Sequence, residues 1–329
     1  MHVAWTDRLE GPDAERYDEF VLQSPAGHAF QTRPWGAVAR AGAPVTTRFV
    51  TVADGPRLVG TALLVRPAVA GVPLPWAWID RGPVVSDPSR LGPCLRAIGR
   101  AARARGVTHL RVMPYWAGED AAHAEQELRG CGYRDAQRPE GAHARTLRID
   151  LRNKDDSDLF AGPGKGQARW RAGQATKAGA TTRRGGHADW ARLREMHTAL
   201  MEAQRRRGKS ASWWRAIEVF ASDGERGTLF VCEHQQRVVA ACVGIRHGKQ
   251  VTYTWGASVA DDLPFTKAIG PLFAAIRWAR ALGCSTFDLG GIPLEGDRDP
   301  KRNAIATLKL DFERSPVRLV RDHARWLVP

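Results

Sequence analysis

Cysteine is scarce and poorly placed for any framework. The five residues Cys94, Cys131, Cys232, Cys242 and Cys284 form no Cys-x-x-Cys and no metal-ligand spacing. An odd number of thiols scattered through apolar stretches points to reduced, buried cysteines in a cytosolic protein, and no metal is expected. Long apolar runs are also missing. The most apolar early stretch, LVGTALLVRPAVAGVPLPWAWI, is interrupted by an arginine and three prolines, which excludes a spanning helix. The polar, acidic N-terminus MHVAWTDRLEGPDAERYDEF is no signal peptide. Acidic residues are in deficit, with 35 Asp and Glu against 49 Lys and Arg and a net charge of +14. Such a surface suits a polyanionic partner, whether nucleic acid, an anionic membrane surface touched peripherally, or a phosphorylated substrate. The plainer reading of the charge is solubility in an arginine-rich proteome. Ser/His/Asp orders, nucleophile elbows, Walker loops and zinc-protease motifs are all absent.

What is present is an internal repeat. PRLVGTALLVRPAV (56–69) resembles QRVVAACVGIRHGK (236–249), and GPCLRAIGRAARARGVTHLRVMP (92–114) resembles GPLFAAIRWARALGCSTFDLGGIP (270–293). Each copy runs strand, turn, strand, helix, strand, with Gly106 or Gly283 where a helix end needs a left-handed residue. The chain of 329 residues, 43% of them hydrophobic, is long enough for two domains with real cores. The expectation is an α/β protein with two similar layered domains. The first spans 1–147 and regains 315–329 as a returning strand; the second spans 148–314. Within the second, a helix is expected over about 166–178 and another from Asp189, as N-cap, to about Arg206.

No acidic residue occurs between 163 and 188. Lys165, Arg169, Arg171, Lys177, Arg183 and Arg184 therefore read as a basic stripe, which Arg205, Arg206 and Arg207 extend, able to follow a phosphate backbone. The alternative is a solvated helix face. GPGKGQAR (162–169) is either a phosphate cradle or a polar turn before a helix, and the lack of a strand feeding it favours the turn. Among twelve tryptophans, Trp35 beside Arg33 in FQTRPWG is placed in a loop where it can line a cleft, and Trp255 is a second candidate. TLKLDF (307–312) alternates as a half-buried strand does, which would aim Lys309 either at solvent or into a cleft.

These segments together resemble the Fem family: SPAGHAFQTRPWGAV, WAWIDRGPVVSD, KGQARWRAGQATKAG, VTYTWGASVADD and RWARALGCSTFDLGGIP with LKLDFER. The resemblance covers nearly the whole chain. It implies two tandem domains of the GCN5-related N-acetyltransferase type, and transfer of an amino acid from aminoacyl-tRNA to an amine, usually in a peptidoglycan precursor. The coiled-coil hairpin of some members is absent, since the 189–210 segment is too short for one. Lys309 matches the lysine of the family's closing Phe-Lys-x-x-Phe-Gly segment, with Leu308 and Glu313 departing from it. The resemblance places that lysine at the reacting centre, the first domain on the acceptor side, and the tRNA on the second. Arg33 and Trp35 fall in the family's Gln-x-x-x-Trp segment bordering the precursor, and Gly290 and Gly291 in its double-glycine turn. Asp288 and Asp311 are candidate proton acceptors, with a strand-end turn as the simpler role for Asp288. No cofactor is called for. The acceptor amine is a muropeptide precursor or a small natural-product amine. The rivals are an acyl-CoA N-acyltransferase and a non-catalytic RNA-binding module. The first lacks its glycine-rich pyrophosphate turn in both DRGPVVSDPSRLG and GASVADDLPFTKAIG.

Overall fold

The computed structural model describes residues 1–136, 144–159, 165–221, 223–294, 296 and 300–327, with backbone only for 165, 166 and 300–302. The chain divides into two compact units, Met1–Ala144 with Val317–Pro329, and Arg145–Pro316. Each is a mixed sheet flanked by helices.

In the first unit the strands lie in the order His2–Thr6, Val45–Asp54, Arg57–Val69, Trp76–Ile79, His109–Val112, His323–Trp326, Arg134–Asp135. All these pairings are antiparallel except Trp76–Ile79 with His109–Val112. The helix Leu91–Arg103 buries Leu91, Cys94, Leu95, Ile98 and Ala102. These recur at three- and four-residue steps and make one apolar stripe that covers the sheet.

The second unit repeats the plan. Its strands run Thr181–Arg184, Gly227–His234, Arg237–His247, Gln250–Ser258, Thr286–Gly291, Arg145–Asp150. A parallel pair again joins the strands on either side of a helix, here Ile269–Ala281. That helix buries Ile269, Leu272, Phe273, Ile276 and Ala279 against Phe230, Cys242, Val251 and Phe287. Gly106 and Gly283 take φ of +75° and +67° just past the two equivalent helices.

Several local expectations are corrected. TLKLDF is not a strand. Residues Pro300–Leu310 form a helix that carries Lys309 in its last turn. Proline at the first position presets a helical φ, and the buried positions Ala306 and Lys309, three residues apart, share a helix face where a pleat would put them on opposite sides. The two helices expected over 166–178 and from Asp189 to Arg206 are Lys165–Lys177 and His187–Ala203. Asp189 lies inside the second, and the N-cap is Gly186. The Asp189 carboxylate instead reaches back to the Gly186 N–H at 2.7 Å, the returning half of a capping box. Trp35 is not in a loop either. Pro34 starts the helix Arg33–Gly42, and Trp35 lies buried in its first turn. The GPG of the candidate phosphate cradle, residues 162–164, lies outside the described residues. At 17 residues, His187–Ala203 is the longest helix among the described residues, and no coiled-coil hairpin is evident there.

Candidate active site

The parallel strands Gln250–Ser258 and Thr286–Gly291 pair only over Gln250–Thr252 and Thr286–Asp288. Beyond that they part, because a bulge between Asp288 and Gly291 redirects the second strand toward Arg145–Asp150. The fork holds Lys309. Its ammonium donates to the Gly291 carbonyl at 2.8 Å and lies 5.5 Å from the centre of the Tyr253 ring. Gly290 has φ of +75°, and a Cβ there would come 3.0 Å from the Tyr253 carbonyl oxygen. Only glycine fits that turn without strain.

Lys309 is 6% exposed. Burial lowers its pKa from the ordinary 10.5 to about 8, and the nearby Asp288 carboxylate limits the fall. Its place in the last helical turn adds a further favourable field for a cation. The lysine is thus poised to change charge near neutral pH, as a group at a reaction centre does.

Asp288 fixes the turn. Its Oδ1 accepts from the Gly290 N–H at 2.7 Å and from the Thr146 hydroxyl, while Oδ2 lies 3.2 Å from Arg148 Nε. A carboxylate with this many donors anchors a backbone turn. That matches the simpler of its two expected roles. Asp311 is 2.8 Å from Arg171 Nε and buried. Thr146, Arg148 and Tyr253 were not singled out in the sequence. Arg148 does alternate with the buried Leu147 and Ile149, which was its only signal.

Trp255 lies on the open arm of the fork. It meets Trp213 edge to face at 4.8 Å and Trp214 at 6.5 Å, and His197 packs on Trp214 at 5.1 Å. Trp213 and Trp214 on the helix Ala211–Ala221 complete an aromatic wall that needs tertiary structure to assemble. Arg33 and Trp35 belong to the first unit. Arg33 Nε donates to Asp18 at 2.8 Å, and Trp35 stacks on Phe30 with ring centres 4.1 Å apart.

The basic stripe is unevenly available. Arg183 is clamped by Asp189 at 2.7 Å and Glu233 at 2.6 Å, two carboxylates that hold its pKa well above the ordinary value. Arg171 is tied to Asp311, and Arg184 donates to Thr228 at 2.9 Å. By contrast Lys177, Arg169, Arg205 and Arg207 are exposed and make no ion pair among the described residues; Arg206 is exposed beside them. Lys165 opens the first helix of the stripe, and its side chain lies outside the described residues. Acid-free sequence did not mean acid-free surroundings, because Asp189, Glu233 and Asp311 reach the stripe through the fold. The turn before Ile269–Ala281, a pyrophosphate site in acyl-CoA enzymes of this plan, is filled differently. Lys267 Nζ folds back onto the Val259 and Asp261 carbonyls at 2.8 and 2.5 Å, and Asp261 lies 3.4 Å from Arg237.

Comparisons with known proteins agree with this geometry. Residues 167–302 match the Acetyltransferase (GNAT) domain family. The UDP-N-acetylmuramoylpentapeptide-lysine N(6)-alanyltransferase of Weissella viridescens is 24% identical over 306 residues, 88% of each chain. The crystal structure of FemX superposes with a TM-score of 0.76 at 16% identity, over 99% of this chain and 97% of that one. The chain resembles Fem-type proteins over nearly its whole length. Two further structures share the fold of this chain. A tandem GNAT protein from the clavulanic acid biosynthesis pathway gives a TM-score of 0.60 at 14% identity, covering 100% of this chain and 99% of that one. L-PGS from Bacillus licheniformis gives 0.60 at 12% identity, covering 97% and 94%. The chain is accordingly an acyl- or aminoacyltransferase built on GNAT units in tandem. No described helix is long and apolar enough to cross a membrane, and no described cluster of His, Cys, Asp and Glu could hold a metal ion.

Proposed function

We propose that this protein moves an amino acid from aminoacyl-tRNA to an amine, making an amide during the branching of a peptidoglycan precursor. The observation that carries the reading is Lys309, buried at the fork of the parallel strands with its ammonium at the Gly290–Gly291 turn. The alanyltransferase relative, named for transfer to the lysine of a muramoylpentapeptide, supports the same class of acceptor and an aminoacyl group as the one moved. The donor ester is already activated, so positioning supplies much of the rate. The amine nitrogen attacks the ester carbonyl carbon and sheds a proton. Negative charge builds on the carbonyl oxygen as the C–N bond forms, and the ribose oxygen then departs and takes up a proton. The Lys309 ammonium stabilises that oxyanion, and the protein contributes no covalent intermediate. In this reading Trp255 and its aromatic neighbours wall the donor side. Single-turnover transfer from charged tRNA to a lysine-bearing muropeptide tests the reading directly; no amide product would overturn it.

The exposed arginines carry the tRNA part of the reading. Each phosphate contact contributes a slope of about −0.7 to −0.9 to the log–log salt dependence of binding. Arg205→Glu with Arg207→Glu is therefore expected to reduce the slope by roughly 1.5. Arg183→Glu should change it less, since Arg183 is already held by two carboxylates. Filter binding of tRNA between about 50 and 300 mM salt measures both. An unchanged slope in the double variant would move the tRNA elsewhere.

Acetyl-CoA is expected to leave the melting temperature unchanged. A ligand at a hundred times its dissociation constant stabilises by about 2.7 kcal/mol, a shift easily seen. The turn that would cradle its pyrophosphate instead presents carbonyls to Lys267 and carries Asp261 and Asp262. A clear shift with millimolar acetyl-CoA, together with acyl transfer to an amine, would replace the tRNA-dependent reading with the acyl-CoA one.

A further inference from the structure

One face of the first unit's sheet carries side chains that a solvated sheet does not need. Trp76, His109 and Trp326 are register partners on three neighbouring strands. They alternate with the buried Ala77, Leu110 and Leu327, so all three project from the face opposite the core. Trp326 is 68% exposed and Trp76 46%. The His109 and Trp326 rings lie 4.8 Å apart. Two residues along the strands, a second row carries Arg111 and Arg134 through their common neighbour Ala324. His109, Arg111, Arg134, Arg325 and Trp326 line a cleft of about 700 Å³. Arg134 has no ion pair among the described residues, and Arg325 is engaged only by the Cys131 carbonyl, at 2.6 Å, which leaves its charge uncompensated. Asp135 is the one carboxylate in the lining, and His323 and Arg321 already approach it at 3.1 and 3.6 Å, while Arg111 is flanked by Asp80 at 3.7 Å and Asp322 at 3.5 Å.

We propose that this open sheet face is a base-stacking platform for a segment of single-stranded RNA. Exposed aromatic rings in one row offer flat apolar surface to successive bases, and the adjacent exposed Arg134 meets a phosphate between them. Strands lie about 4.8 Å apart, so a row across three strands spans about 10 Å and takes two or three unstacked bases. A duplex hides its base faces and does not fit such a row. Burial, with Arg111 alongside, holds the His109 pKa below its ordinary value, so the ring stays neutral and stacks without charge near neutral pH. The net charge of +14 supplies the long-range attraction. The platform lies wholly in the first unit. It stands on its own whether or not the transfer reaction is as proposed.

The test uses the full chain and a fluorescein-labelled single-stranded hexaribonucleotide, read by anisotropy at about 0.1 and 0.5 M salt. Trp76→Ala with Trp326→Ala is expected to weaken binding roughly tenfold or more at both salts, because stacking is insensitive to counterions whereas phosphate contacts are not. Trp326→Phe, which keeps a ring, should restore much of the Trp326 share. Arg134→Glu should weaken binding mainly at the lower salt. Both tryptophans are exposed, so the variants should fold, and an unchanged melting curve verifies it. Four results would overturn the platform: no binding of the hexamer by the wild-type chain, equal affinity in the double alanine variant, a blunt duplex of the same sequence bound as tightly, or a free mononucleotide bound as tightly as the hexamer. None of these bears on the Lys309 transfer assay, so the two readings fail separately.

Discussion

Lys309→Met is expected to remove most transfer activity and yet raise resistance to unfolding at neutral pH. The rate falls by about 10²–10³, the usual effect of deleting one preorganised donor to a developing oxyanion. The stability gain follows from the same burial. In the unfolded chain the lysine titrates at its ordinary 10.5, and in the folded protein at about 8. Between those values the unfolded state holds more protons, so the wild type grows more stable as pH rises through that window. Below pH 8 the penalty for burying the ammonium is fully present. At about 1.4 kcal/mol for each pH unit it is of the order of 3 kcal/mol. Methionine has similar volume and no charge, so its advantage should be greatest below pH 8 and fade toward pH 10.5. A second signature concerns rate. The wild-type advantage over the variant should shrink as pH rises through about 8, where the ammonium is lost. Single-turnover rates and denaturant melts at pH 7 and 10 check both. Wild-type transfer by the methionine variant would end the role given to Lys309.

Asp288→Ala should be the most damaging substitution in the second unit. It strips acceptors from the Thr146 hydroxyl, the Gly290 N–H and Arg148, the first in a closed interior and the other two half-buried. Leaving one partner of a buried charged pair alone costs about 3–5 kcal/mol. For a unit of this size that lowers the melting temperature by roughly 10 °C. Asp288→Asn keeps the shape and loses less. Because the Asp288 charge raises the lysine's pKa, the asparagine variant should move the alkaline limb of the rate profile to lower pH. A melt of Asp288→Ala within about 2 °C of wild type would show the turn is held by something else.

The repeat was legible because strand, helix and glycine signals recur in order, and duplication leaves those local marks. Lys309 was placed on the wrong element. Six residues that alternate cannot separate a pleat from one and a half turns of helix, and the proline that decides the matter lies seven residues upstream of that run. The anchoring of the Gly290–Gly291 turn was illegible for a different reason. Thr146 and Arg148 meet Asp288 across about 140 positions, and no spacing rule reaches that far. The basic stripe shows the converse error. Charge read along the chain overstates what is available, since Glu233 lies fifty residues from the Arg183 it neutralises.

The strand His323–Trp326 lies between His109–Val112 and Arg134–Asp135, so the first unit borrows an interior strand, next to the sheet's edge, from far downstream. Protein synthesis is vectorial. Residues 145–316 must leave the ribosome before that strand exists, which at ~5–20 residues per second is a wait of about 10–30 s. During it the N-terminal unit has two unfilled strand edges, a template for mispairing with other chains. The second unit, continuous in sequence, can finish first. The part of the protein made earliest is thus the part completed last, and in the cell its greatest exposure to aggregation comes during translation, before the finished fold exists to protect it.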